Sequence, residues 1–136
     1  MADFDKNDQV VSLTKEQWQQ RLSPEAYRVC REKGTEAPYS GVYDQHFAEG
    51  VYVCHCCGTE LFASENKFNA GCGWPSFDAE HTSGKVAEHA DYSHGMVRTE
   101  VTCSRCDAHL GHVFNDGPTA TGLRYCINSV ALDFKE

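Results

Sequence analysis

Two Cys-x-x-Cys pairs constrain this chain more than any other feature: Cys54-His55-Cys56-Cys57-Gly58 and Cys103-Ser104-Arg105-Cys106-Asp107. In both, a leucine stands four positions after the second cysteine, Leu61 and Leu110, so the two stretches echo each other. Each knuckle can offer two thiolates to one metal ion, and two knuckles complete the tetrahedral four-sulfur shell that structural zinc prefers. Residues 58–102 lie between them and must hold several strands, so the metal would tie two halves of a domain together. Structural zinc in small peptides binds with about 10–16 kcal/mol, enough to dominate a fold of this size. The same ligands could instead carry an iron–sulfur site, or one pair could be a redox dithiol. His55 and Cys56 could exchange in as ligands. Only Cys54 with Cys57 repeats the spacing of the second knuckle, so the expected ligands are Cys54, Cys57, Cys103 and Cys106. A closed shell leaves no open position, which makes the metal structural rather than catalytic.

The remaining sequence sets limits on partners. A length of 136 residues suggests one domain, 1–136, with residues 1–13 a loose N-terminal segment. The net charge of −8 disfavours nucleic acid and an anionic membrane surface. No apolar run approaches the roughly 20 residues that span a bilayer. The N-terminus is polar and acidic without an apolar signal core, so the expected compartment is the cytoplasm. Eight cysteines in a reducing compartment point to metal or redox chemistry rather than structural disulfides.

Thr14-Lys15-Glu16-Gln17 fits a capping box. Trp18 and Leu22 would share a face of the short helix that follows. Ser23-Pro24-Glu25 starts a second helix, predicted to run to Gly34. From Val51 the pattern changes to short strands: Val51–His55, Glu60–Ala63, Lys85–Ala90, Met96–Thr102, His109–Phe114 and Arg124–Leu132. The predicted architecture is two N-terminal helices followed by a mostly antiparallel β domain.

Four cysteines remain once the metal ligands are set aside. Leu123–Ser129 alternates, with Leu123, Tyr125 and Ile127 on one face and Arg124, Cys126 and Asn128 on the other. A guanidinium beside Cys126 favours thiolate, the nucleophilic form. The alternative is an inert thiol in a terminal strand. Cys72 lies between glycines in Gly71-Cys72-Gly73, which suits a mobile resolving thiol, or a small filler in a tight turn. Cys30 reads as a spare thiol on the second helix. Trp74 could wall an apolar pocket, although core packing is the commoner use of tryptophan. His109 and His112 could exchange protons near neutral pH, or could be surface histidines. A second metal on this pair lacks an acidic third ligand. His94, in Ser93-His94-Gly95, reads as a turn residue with a possible site role.

Taken together, GCGWPSF (71–77), SHGM (93–96), HLGHVFNDGP (109–118), RYCINS (124–129) and the two knuckles resemble the B-type methionine sulfoxide reductases, which act on the R epimer at sulfur. The resemblance runs from about Glu25 to Phe134. It implies two coiled antiparallel sheets with short N-terminal helices. It implies Cys126 as nucleophile, Cys72 as resolving thiol, and a structural zinc on Cys54, Cys57, Cys103 and Cys106. Trp74 matches the aromatic wall for the substrate's methyl group, and His112 the residue that polarises the sulfoxide oxygen, with His109 and Asn128 close by. Arg124 matches the basic neighbour of the nucleophile. His94 and Phe114 are expected among the substrate-binding residues. Val130 stands where alanine is common, and Cys30 and Cys56 are not family positions.

Such a reaction repairs oxidised methionine in proteins. Cys126 would become a sulfenic acid, Cys72 would condense with it to a disulfide, and thioredoxin would restore both thiols. A monomer is expected. A non-enzymatic zinc-binding adaptor explains the knuckles but not Cys126, Cys72 or the paired histidines. A thiol oxidoreductase acting on protein disulfides would need a Cys-x-x-Cys pair that the metal already claims.

Overall fold

The computed structural model describes residues 13–81 and 84–136. The expected loose segment 1–13 therefore lies, apart from Leu13, outside the described residues.

The first helix, α1 (Lys15–Arg21), starts where the sequence says. Thr14 Oγ1 accepts from the Gln17 amide, and Gln17 Oε1 accepts from the Thr14 amide, which satisfies two otherwise unpaired donors. Helix α2 (Pro24–Glu32) is capped by the Ser23 hydroxyl and has proline in its first turn. It ends at Lys33, not Gly34. Lys33 adopts the left-handed conformation, φ 61°, that glycine was expected to supply. Among the described residues no helix is long and apolar enough to cross a membrane.

The strands are β1 (Val51–Cys54), β2 (Glu60–Ala63), β3 (Lys67–Phe68), β4 (Ser76–Phe77), β5 (Val86–Asp91), β6 (Arg98–Cys103), β7 (His109–Phe114), β8 (Arg124–Ile127) and β9 (Leu132–Lys135). They form two antiparallel sheets. The smaller has the order β2-β1-β9, the larger β3-β4-β8-β7-β6-β5. The expected mainly-β fold with two antiparallel sheets and short N-terminal helices is what the chain adopts.

Two differences matter for the site. The segment expected as one strand, Arg124–Leu132, is two: a 3-10 turn at Ser129–Ala131 carries the chain from β8 in the large sheet to β9 in the small one. And β3 and β4, two residues each, are too short to leave a periodic pattern, yet β4 pairs with β8 and puts Ser76 opposite Cys126.

Aromatic packing joins the sheets. Phe62 on β2 stacks on Phe77 of β4, ring centroids 4.4 Å apart, and Tyr52 on β1 meets the same ring edge-on at 5.1 Å. All three are fully buried. Replacing Phe62 with alanine is expected to cost about 3–5 kcal/mol in reversible denaturant unfolding. A loss below about 1 kcal/mol would mean that this contact does not hold the sheets together.

Candidate active site and four-sulfur cluster

The two knuckles fold as the same turn. Cys54 N–H donates to Thr59 O and Gly58 N–H to Cys54 O. In the second knuckle, Cys103 N–H donates to Ala108 O and Asp107 N–H to Cys103 O. Gly58 and Asp107 take matching left-handed positions, φ 81° and 64°. The first turn follows β1 in the small sheet and the second follows β6 in the large one, so the echo in the sequence becomes a meeting of two sheets.

Four buried sulfurs converge there. The Sγ atoms of Cys54, Cys57, Cys103 and Cys106 all lie within 4.8 Å of one another. Cys54–Cys106 and Cys57–Cys103 are each 3.6 Å apart. Metal–sulfur bonds of about 2.3 Å imply an S–S edge of about 3.8 Å in a tetrahedron, so the spacing suits a metal ion. Arg31 donates to the carbonyl of Cys106 and anchors α2 to the second knuckle. His55 turns away to Asp133, 3.0 Å distant, and Cys56 is buried but outside the group of four.

The second constellation follows from strand register. Cross-strand partners project to the same face of a sheet. Ser76 pairs with Cys126, Cys126 with His112, and His112 with Glu100, which makes one row across β4, β8, β7 and β6. Phe114 and Arg124 pair two residues along, on the same face. A cavity of about 260 Å³ opens over this row. It is lined by Cys72, Trp74, His112, Cys126 and Asn128, and also by Phe114, Arg124, Arg98, Thr35 and Gly111. Tyr125 and Ile127 are buried, so the predicted alternation holds. The floor beside Cys126 is backbone: a Cβ at Gly111 would crowd the carbonyl oxygen of Cys126.

Cys72 and Cys126 are both free thiols with Sγ atoms 3.6 Å apart. Their loop is less mobile than its glycines suggest. Tyr39 straps it, the amide donating to Gly73 O at 2.7 Å and the hydroxyl to Gly71 O at 2.8 Å. The expected thiolate at Cys126 is overturned. Burial pushes its thiol up to about 12, the neighbouring sulfur of Cys72 adds to this, and Arg124 offsets only part. Cys72 goes the other way. Burial raises it, but the hydrogen bond to Ser76, the backbone at Trp74, and the contacts with Cys126 and Arg124 together hold it below the ordinary thiol range. Of the pair, Cys126 is the harder sulfur to ionise and Cys72 the easier.

Arg124 is engaged elsewhere as well: it bonds Asp116 at 2.8 Å and lies 4.5 Å over the Phe114 ring. His112 gives Nε2 to Asp91 Oδ2 at 2.8 Å. Asp91 is held well below the usual carboxylate range by the Ser93 amide and by His112, so it stays ionised. Arg98 approaches the same oxygen at 3.4 Å. His109 is not part of the cavity wall. It is buried 5.6 Å from the His112 ring, bonds Glu100 Oε2 at 2.8 Å, and burial lowers its pKa. His94 lies in the 3-10 turn Ser93–Gly95, and its side chain is outside what is described. Asn128 is buried, with its amide group spent on Leu110 O and the Glu36 amide.

Sequence reasoning missed Asp91, Arg98, Glu100 and Thr35. The first two were findable: opposite charges at 91 and 98 face each other across a hairpin whose turn, Ser93–Gly95, was already visible.

Comparison with known proteins gives a consistent result. The SelR domain model matches residues 22–136. A protein of Chromohalobacter salexigens named peptide methionine sulfoxide reductase MsrB is 61% identical over 125 residues, which cover 91% of this chain and 94% of that protein. Proteins of the same name from Pseudomonas putida strain F1 and Pseudomonas syringae pv. syringae are 58% identical over 125 residues and 62% over 123. These cover 92% of this chain and 95% of the first, and 90% of this chain and 94% of the second.

The thiol pair carries a signed prediction. Alkylation follows the thiolate fraction, so the rate at Cys126 should climb with pH toward about 12 without a plateau near neutrality. Cys72→Ser removes a charge and a hydrogen bond that both raise Cys126, so alkylation of Cys126 at pH 8 should speed up by about tenfold. A slower rate in that variant would reverse the assignment of the proton.

Proposed function

The chain belongs to the SelR domain family, and we propose that its cavity reduces the R epimer of methionine sulfoxide to methionine with Cys126 as nucleophile and Cys72 as resolving thiol. The observation that carries the residue assignment is the 3.6 Å contact between Cys72 and Cys126 in a cavity also walled by Trp74 and His112.

A sulfoxide sulfur becomes a good electrophile only when its oxygen is protonated or strongly hydrogen-bonded. The resting Cys126 holds a proton, and that proton is the one the oxygen needs. As substrate enters, the Cys126 sulfur bonds to the sulfoxide sulfur while the proton passes to oxygen. His112 spends Nε2 on ionised Asp91, which leaves Nδ1 for a hydrogen bond with the substrate oxygen. Trp74 walls the S-methyl group and thereby selects the epimer. Phe114 and Arg124 border the substrate, as does the turn at His94, and Asn128 and His109 brace the row from beneath. Methionine leaves when the oxygen moves to Cys126 as a sulfenic acid. The Cys72 sulfur then attacks that sulfur, its own thiol proton passes to the departing hydroxyl to make water, and a disulfide forms. Two thiols supply the two electrons, and an external dithiol, thioredoxin, returns them by exchange.

Cys54, Cys57, Cys103 and Cys106 would hold zinc, one ion per chain, because four thiolates at tetrahedral spacing are its preferred structural set. Its part is to hold the sheets together. The substrate is methionine R-sulfoxide, in protein and also free. The acidic charge argues against nucleic acid. A cytoplasmic monomer, folded as the single domain 1–136, fits these traits.

Cys126→Ser should abolish reduction of the R-sulfoxide. Cys72→Ser should release one methionine per chain, form no disulfide and lose cycling with thioredoxin. Full thioredoxin-coupled turnover in Cys72→Ser would remove Cys72 from the mechanism. Zinc stripping with a chelator should collapse the fold, seen as loss of the cooperative thermal transition; an unchanged transition after verified metal loss would end the structural role.

A further inference from the structure

Glu36 lies in the connection after α2, in neither helix nor strand, yet it is only 3% exposed. Its carboxylate is shared between two backbone amides. Ser129 N–H donates to Oε2 at 2.8 Å, and Val130 N–H to Oε1 at 3.0 Å. Its main chain is committed too: the amide donates to Asn128 Oδ1 at 2.9 Å, and the carbonyl accepts from Trp74 Nε1 at 3.1 Å. One residue thus grips the segment just past Cys126 with its side chain and the Trp74 ring with its backbone.

We infer that Glu36 is a positioning residue: its carboxylate pins its own backbone to Ser129 and Val130, and that backbone sets the distance of the Trp74 ring from the nucleophile. The inference rests on the reading of Trp74 as the wall for the S-methyl group. Packing alone does not call for a carboxylate here. Burial pushes the Glu36 carboxyl up, and the charges of Glu25 and Asp44 push the same way. The two amide bonds offset part of this, and a carboxylate is the side chain that can accept both in this fork. The clamp has no slack. A Cβ at Gly41 would meet the Ser129 Cβ at 2.2 Å and Glu36 Oε2 at 2.8 Å. On its far side Glu36 borders a second hollow, of about 460 Å³, with His55 and Asp133. That hollow shares neither Trp74 nor Cys126 with the cavity, so the clamp separates the two.

The test uses the full chain and two substrates differing by one methylene, the R-sulfoxides of N-acetyl methionine amide and N-acetyl ethionine amide. A pocket that reads one methylene discriminates by about 10–200-fold. Glu36→Gln keeps one acceptor oxygen and turns an NH2 toward the other amide. It should lower the methyl-over-ethyl ratio of kcat/KM by about tenfold, mostly through KM, while the alkylation rate of Cys126 stays at the wild-type value. An equal loss on both substrates, or no loss, would mean that Glu36 only supports the fold. Trp74→Phe separates the two readings. If it leaves the ratio unchanged, the methyl wall is wrong; if it lowers the ratio and Glu36→Gln does not, the clamp alone is wrong. Should Glu36→Gln fail to fold, Gly41→Ala crowds the same clamp with the carboxylate in place and carries the same ratio test. In the unsubstituted chain the Trp74 indole hydrogen should exchange far more slowly than a free indole, and exchange at the free rate overturns the inference whatever the variants do.

Discussion

Four sulfurs from two different sheets meet at one point, and the rest of the molecule is arranged around that meeting. Cys54 and Cys57 come from the end of β1 in the small sheet; Cys103 and Cys106 come from the end of β6 in the large one. A chain of this size buries a modest core, and the aromatic contact of Phe62 with Phe77 is the apolar part of the same junction. Between these two fixings the large sheet keeps its register. That register alone brings Ser76, Cys126 and His112 into one row.

Within the row, charge is governed by burial more than by neighbours. A cation beside a thiol favours thiolate, and Arg124 does so. However, its guanidinium is already shared with Asp116 and stacked on Phe114, while Cys126 has lost most of its water. The result is a pair in which Cys126 holds its proton more firmly than Cys72 does. For a reaction whose first need is a proton on oxygen, that division is useful. It also guards the half-buried sulfur, since a protonated thiol reacts slowly with stray oxidants.

The sequence made a good deal of this legible, for reasons that differ from residue to residue. The knuckles were legible because ligand spacing is local, and the caps at Thr14 and Ser23 because capping is local too. The alternation of Leu123–Ile127 told which side Cys126 would face. The two-residue strands β3 and β4 have no period to read, and the break at Ser129–Ala131 depends on which sheet captures the chain next. The protonation of Cys126 needed depth, which a neighbouring arginine in sequence cannot report. Glu36 left no signal at all: its partners are 38 and 92 to 94 positions away, and nothing periodic leads to them.

The short turn at Ser129–Ala131 has a mechanical meaning. Only Asn128 stands between β8 and that turn, and β9 follows at once in the opposite sheet. Asn128, Ser129 and Val130 are each fastened by hydrogen bonds, the first to Leu110 and the other two to Glu36. The crossing between sheets is thus moored at three successive residues, and the cysteine two positions upstream is sheltered from slippage of the small sheet.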